Sequence, residues 1–233
     1  MKKGYIYSIQ NTLFGSRDVI GFSNGKLYVK EIDRHLANKI IEENHYSHKF
    51  YNNSYIHLGV WIDNVMVGVL QYGHAMNPSS GSNIVKGTKN YQYIELNRMW
   101  LSDKAPRNSE SMAISCSIKY IKNKYPLIKW IQSFADERCG CLGIVYQACS
   151  FDYYGEHLST FWELDGKIYH NTVATAKKDK AGAKGYYEFK KNKDSGNINK
   201  LHFRQFRYIK FIDQRWKKKC LLEEKEYPKY YNQ

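Results

Sequence analysis

Between Tyr91 and Asp136 the chain reads YQYIELNRMWLSDKAPRNSESMAISCSIKYIKNKYPLIKWIQSFAD, which parses as strand, polar loop, helix and second strand. Ile94, Leu96 and Trp100 alternate on one side of the first strand. Ile114, Ile118, Ile121 and Tyr125 recur at helical spacing behind Asn108, a residue suited to capping a helix start. Ile128 to Ala135 is an almost unbroken apolar run, the pattern of a strand covered on both faces, and it ends in Asp136. These spacings predict a β-α-β crossover. Ligands of such sheets bind beyond the carboxyl ends of the strands. The amides of the Asn108-Ser109-Glu110 turn and the carboxylate of Asp136 both fall at that edge. The expected site is therefore a cleft in which an anion-binding helix start lies beside a candidate base.

The flanks supply the rest of a mixed sheet. Ile32, Leu36 and Ile40 predict the buried stripe of a helix running from about Asp33 to the His45-Tyr46 pair. Ser54 to Ile62 and Val65 to Tyr72 alternate as a hairpin around Asp63-Asn64, and Asn77 to Ser82 reads as a polar, mobile connection. Beyond Asp136, Gly140 to Cys149 has helical apolar spacing, Tyr153 to Trp162 reads as one or two strands, and Asp165-Gly166 reads as a turn. The expected fold is α/β: one domain over residues 1–233, with helices on both faces of a central mixed sheet. Its appendages are a flexible lysine-rich insertion at about 175–200 and a basic, aromatic segment at 201–219.

Lys and Arg number 36 against 22 Asp and Glu, a formal charge of +14, and 21 tyrosines lift the aromatic content to 15%. Basic charge with stacking surface points to a nucleic acid partner, while a lysine-rich proteome gives the same balance without one. The amino terminus is broken by Ser8, Gln10 and Asn11 before an apolar run of secretory length, which excludes a signal peptide reading. Ile56 to Tyr72 carries Asp63 and Asn64, so it reads as two strands rather than a membrane span. Five cysteines without framework spacing fit reduced thiols, and the expected setting is the cytoplasm. Cys139, Cys141 and Cys149 lack the paired spacing of a zinc site.

Several strings occur in a fixed order: ENHYSHK, ELNRMWL, APRNSES, IQSFAD, GIVYQA and FRYIKFIDQRWKK. Together they resemble the Mom family of phage DNA modification proteins, over roughly residues 32 to 219 and most densely 93 to 150. The resemblance implies a GNAT-like acyltransferase fold and attachment of a carbamoylmethyl or related group to the exocyclic amine of adenine. It further implies double-stranded DNA as partner, protection from restriction nucleases, and a host-cell cytoplasm as the place of action. On this likeness Asp136, Ser109, Glu110, Ser111, Arg98, His45 and Tyr46 line the cleft, with Arg107, Asn108, Ser109 and Ser111 towards the donor and Tyr146 towards the substrate. Two other readings of the chain stand beside it: a GNAT N-acetyltransferase acting on a protein or small-molecule amine, and a nucleic acid binding protein without catalysis.

Each of these residues also has a plain structural use. Asp136 can cap the following turn, Asn108 and Ser109 can cap their helix, and Arg98 calls for a carboxylate such as Glu95, Glu110 or Asp136. His45 and Tyr46 can serve a helix end, and Tyr146 has the spacing of a core residue. An adenine amine is a weak nucleophile and is stacked within the duplex, so the family's reaction requires an extruded base and cationic contacts to phosphate. Lys184, Arg204, Arg207, Lys210 and Arg215 are the candidates for those contacts, against the alternative of a solvated strand edge. The GNAT fold implies an acyl-coenzyme A-like donor. PRNSES, however, has no glycine and puts Glu110 in the first helical turn. Direct acyl transfer would also leave an amide, whereas carbamoylmethyl is joined through a saturated carbon. That mismatch brings in iron as a second candidate cofactor, with His45, His48, Asp136 and tyrosines as its N and O donors.

Overall fold

The computed structural model describes residues 27–164, 166–171 and 198–229. All but the end of the lysine-rich insertion, Lys184 included, lies outside the described residues. The strands are β1 (Leu27–Glu31), β2 (Ser54–Ile62), β3 (Val65–Gly73), β4 (Tyr93–Leu101), β5 (Trp130–Asp136), β6 (Asp152–Leu164), β7 (Lys167–His170) and β8 (Ile198–Phe211). The α-helices are α1 (Arg34–Asn44), α2 (Ser109–Lys124) and α3 (Ile144–Ala148), and short 3-10 turns cover Pro78–Asn83, Glu137–Cys139 and Gln214–Lys219. Among the described residues no helix is long and apolar enough to cross a membrane.

The eight strands form one sheet in the order β1-β2-β3-β4-β5-β8-β6-β7, and β4 and β5 pair in parallel while their neighbours pair antiparallel. The expected mixed α/β sheet with helices on both faces is what forms. The hairpin turns at Asp63 and Asn64, whose φ values of 48° and 66° are the left-handed conformations that a two-residue turn between right-twisted strands requires. Alternation along β5 divides the core. Ile131 and Ala135 join Ile94 and Leu96 under Ala113, Ile114, Cys116, Tyr120 and Ile121 of α2 and Tyr146 of α3. On the opposite face Ala37 and Ile41 of α1 pack on Val69, and Trp130 stacks on Tyr93 under the carboxyl-terminal segment.

The parallel pairing is short. Tyr93, Ile94 and Glu95 of β4 face Trp130, Ile131 and Gln132 of β5, and beyond that level the two strands part. A bulge adds to the divergence: Tyr72 pairs with Leu96 but Gln71 with Arg98, leaving Asn97 as the extra residue of β4. Asn97 is buried, accepting from Ser54 Oγ at 2.9 Å.

Three local expectations change. The bulge turns Trp100 to the α1 face, where it packs beside Ile40 and Phe50, so it does not share a side with Ile94 and Leu96. The buried stripe of α1 is Ala37 and Ile41, and Leu36 is 42% exposed, because the helix begins at Arg34 with the Asp33 carboxylate accepting from the His35 and Leu36 amides. Finally, Asn77 to Ser82 is mostly a 3-10 turn rather than a mobile connection. Its buried Gly81 lies against the Tyr93 ring, where a Cβ would come within 2.4 Å of a ring carbon, and Tyr93 donates to the Pro78 carbonyl at 3.0 Å.

Candidate active site

Because Ala135 faces α2, Asp136 faces the side of α1, on the same strip as Gln132 and Phe134 of β5 and Glu95 of β4. Its residue is 9% exposed. The carboxylate accepts from the Arg138 backbone amide at 3.0 Å, which caps the turn after β5, and Arg138 Nε reaches both of its oxygens at 3.0 and 2.9 Å. Arg138 Nη2 also donates to Oδ2, so the guanidinium clamps the carboxylate along one edge. The same guanidinium lies 4.0 Å above the Phe161 ring of β6.

The segment after α1 closes the other side. The His45 and Tyr46 rings meet at a tilt with centroids 4.3 Å apart, and the Tyr46 hydroxyl lies near Cys139 and Asp136. Although the Tyr46 residue is 57% exposed, its hydroxyl is raised above the usual tyrosine range by burial and then by Cys139 and Asp136. His45 is buried with Nδ1 2.8 Å from Ser47 Oγ. Loss of water, helped by the Arg98 and His48 charges, lowers its pKa to about 4, so it is neutral near pH 7.

Arg98, turned to this face by the bulge, donates to the Lys49 carbonyl at 2.9 Å and the Asn97 carbonyl at 2.6 Å, with its guanidinium 5.8 Å from the Tyr51 ring centroid. Among the described residues no carboxylate lies within 4 Å of it, contrary to the expected ion pair. Backbone carbonyls offset its burial instead. The structure therefore brings Asp136, Tyr46, His45 and Arg98 together. It adds Arg138 and Tyr51, which the sequence did not single out, and Cys139, which it weighed only for zinc, although an arginine two residues past a strand-ending aspartate was a readable signal.

The start of α2 belongs to the other face. Asn108 occupies the cap position with φ 69°, but its side chain makes no capping hydrogen bond, contrary to expectation. Ser109 Oγ donates to Pro106 O at 2.6 Å and Ser111 Oγ to Asn108 O at 3.0 Å, while Arg107 and Glu110 are exposed. The amides of Glu110 and Ser111 have no carbonyl of their own helix to bond. Asp136 and this turn thus lie on opposite faces of the sheet, so the helix start does not stand beside the candidate base as expected. Tyr146 approaches the parting of β4 and β5 from α3. It is buried, and burial pushes its hydroxyl up to about 12.

The expected phosphate contacts separate in the same way. Arg207 opposes Phe134 on the Asp136 face, its guanidinium 5.4 Å from that ring, and His157 meets the same ring edge-on at 5.4 Å. Arg204 is on the α2 face and is held by Glu137 at 2.7 Å and Glu156 at 3.7 Å, beside a cavity of about 890 Å³. Lys210 is spent on the Cys149 and Ser150 carbonyls behind α3. Arg215 lies beyond the amino-terminal end of β5, because Phe211 pairs with Trp130 and Gln205 with Asp136. At about 3.3 Å per residue, the six rises along the seven-residue β5 put it some 20 Å from Asp136.

A sheet with one parallel pair that parts at its carboxyl end, and an ionisable cluster at the parting, defines a transferase-like cleft. The Mom protein family matches residues 26–229, and the chain belongs to that family. It is 49% identical over 214 residues, covering 91% of this chain and 87% of the other, to the methylcarbamoylase mom of Escherichia phage Mu. Solved structures similar to it include a GNAT-family acetyltransferase from Streptococcus pneumoniae (11% identity, TM-score 0.46, 80% of this chain and 100% of that one). NAA60 of Arabidopsis thaliana, solved with acetyl-CoA, is similar at 8% identity and TM-score 0.48, over 80% of this chain and 99% of that one.

Proposed function

We propose that this chain is a transferase that modifies the exocyclic amine of adenine in double-stranded DNA, adding a carbamoylmethyl or related group that hides the site from restriction nucleases in the host cytoplasm. Membership of the Mom family supports the reaction class. The observation that carries the assignment of the site is the meeting of Asp136, Arg138, Tyr46 and Arg98 on the open side of the β4–β5 parting.

An adenine inside a duplex is out of reach of such a cleft, so the base is extruded into it. Tyr46 and Phe134 supply aromatic walls, Arg207 and Arg98 supply positive charge, and the Asp136–Arg138 clamp fixes the mouth geometry against which the nucleotide is oriented. His45, neutral and seated on Ser47, holds the Tyr46 ring in place.

The first turn of α2 gives a donor phosphate two free amides and Arg107, but Glu110 opposes it and both serine hydroxyls are already committed. An acyl-CoA-like donor is supported by the helix start alone. Iron fits less well. Among the described residues no three His, Cys, Asp or Glu side chains stand close enough to hold a metal ion, and the Asp136 oxygens face Arg138.

Expression in bacteria followed by digestion of plasmid DNA to nucleosides tests the reading by mass. Wild type is expected to yield a mass-shifted deoxyadenosine, and Asp136→Asn to yield none while still binding DNA. Unshifted deoxyadenosine from wild type, with acetylated protein or small amines instead, would move the chain to the N-acetyltransferase class.

A further inference from the structure

Glu95 stands at the apex of the parting. It is the last residue of β4 paired to β5, opposite Gln132, and beyond it the strands separate. Its side chain is on the α1 face, above the stacked Tyr93 and Trp130 rings that close the cleft from below. One oxygen accepts from Gln132 Nε2 at 2.9 Å, and the other has only a long contact of 3.5 Å from Asn97 Nδ2. Among the described residues no cation lies within 4 Å of it, so it differs from Asp136, both of whose oxygens meet Arg138. The residue remains partly open to solvent although it is surrounded in depth.

The shape of the substrate gives this position its meaning. An extruded adenosine enters with its sugar and phosphates at the mouth. The sugar is joined at N9, and the exocyclic amine projects from the far end of the purine. A base that enters amine first therefore meets what lies at the apex. The start of α2, the side proposed for the donor, lies on the other face of the sheet.

We propose that Glu95 is the catalytic proton acceptor for the adenine amine, with Gln132 and Asn97 as the positioning residues that aim its carboxylate. This rests on the adenine-modification reading and deepens it. As the exocyclic nitrogen bonds to the electrophilic carbon of a donor carrying an anionic leaving group, one N–H bond breaks. Its proton passes to a Glu95 oxygen and its electron pair stays on nitrogen, while the leaving group departs with the pair of the bond it breaks. Burial raises Glu95 above the ordinary glutamate range, against the lowering effects of Gln132, Asn97, Arg98 and Arg207, which brings its basicity closer to that needed near neutral pH. Among the described residues Tyr51, Tyr93 and Tyr146 also feel its charge, and burial holds all three above the usual tyrosine range.

The test uses full-length protein, plasmid DNA and clarified bacterial extract as the source of donor, with modified deoxyadenosine measured by mass between pH 5.5 and 9. Wild type is expected to gain rate with rising pH along a limb that Glu95→Gln lacks. Glu95→Gln should lose about 100-fold or more in kcat, with DNA affinity within about threefold of wild type. Glu95→Ala should regain activity on addition of formate, which a merely structural role would not allow. A Glu95→Gln variant that keeps wild-type rate and the acidic limb would overturn the proposal, as would an inactive Glu95→Ala that formate does not restore. If wild type itself leaves deoxyadenosine unshifted, the adenine-modification reading fails first, and the two failures are thereby distinguished.

Discussion

The two ends of β5 treat positive charge in opposite ways. At the carboxyl end Arg98 and Arg138 are fixed by carbonyls, by a carboxylate and by aromatic rings. At the amino end Arg215, Lys218 and Lys219 follow β8 in a short turn; Arg215 pairs with Asp213 while its side chain remains 87% exposed, and the Lys219 ammonium lies 4.4 Å from the Trp216 ring centroid. All five residues count equally towards +14. Arg215 also meets Asp213 through two N–H groups, but the Asp136–Arg138 pair is the nearly buried one, and a cation shielded from water can define geometry where a solvated one adds mainly field.

The largest effect should come from Arg138→Ala. It removes the guanidinium from a nearly buried carboxylate, and a loss of about 100-fold or more in turnover is expected, with roughly 2–3 kcal/mol of stability, read by nucleoside mass and thermal melting. Equal activity would erase the distinction between the two ends.

His45 sharpens the comparison through pH. Its pKa in the folded chain is about 4 against an ordinary 6.5, so its contribution to stability is complete above pH 6.5 and is lost as pH falls towards 4. Melting curves across that window should show a loss on the order of 1–3 kcal/mol that His45→Gln flattens. The smallest effect belongs to the far end. Joint Arg215→Ala, Lys218→Ala and Lys219→Ala substitution should leave kcat within about twofold and weaken DNA binding several-fold, with the salt slope reduced by about 1 for each phosphate contact removed.

What the sequence revealed followed from periodicity. The hairpin around Asp63-Asn64, the crossover from β4 through α2 to β5, and the edge at which Asp136 lies were all legible, because each rests on local spacing or turn chemistry. The bulge at Asn97 was not. It adds a residue without any Gly or Pro to mark it, and it carries Arg98 and Trp100 to the α1 face. Partners distant in sequence were equally hidden. Glu137, 67 residues from Arg204, withdraws that arginine from any cleft on the Asp136 face, and the Cys149 and Ser150 carbonyls withdraw Lys210. Glu95 entered the sequence reading only as a partner for Arg98. Its isolation from cations depends on where Arg138 and Arg98 spend their hydrogen bonds, which no pattern along the chain encodes.

The separation of β4 from β5 after their third paired level has a kinetic consequence. In the proposed reaction DNA enters from the Asp136 face and the donor comes from the start of α2 on the other face, so neither entrance blocks the other. Saturating DNA should then leave the apparent affinity for the donor source nearly unchanged, and double-reciprocal plots should intersect rather than run parallel.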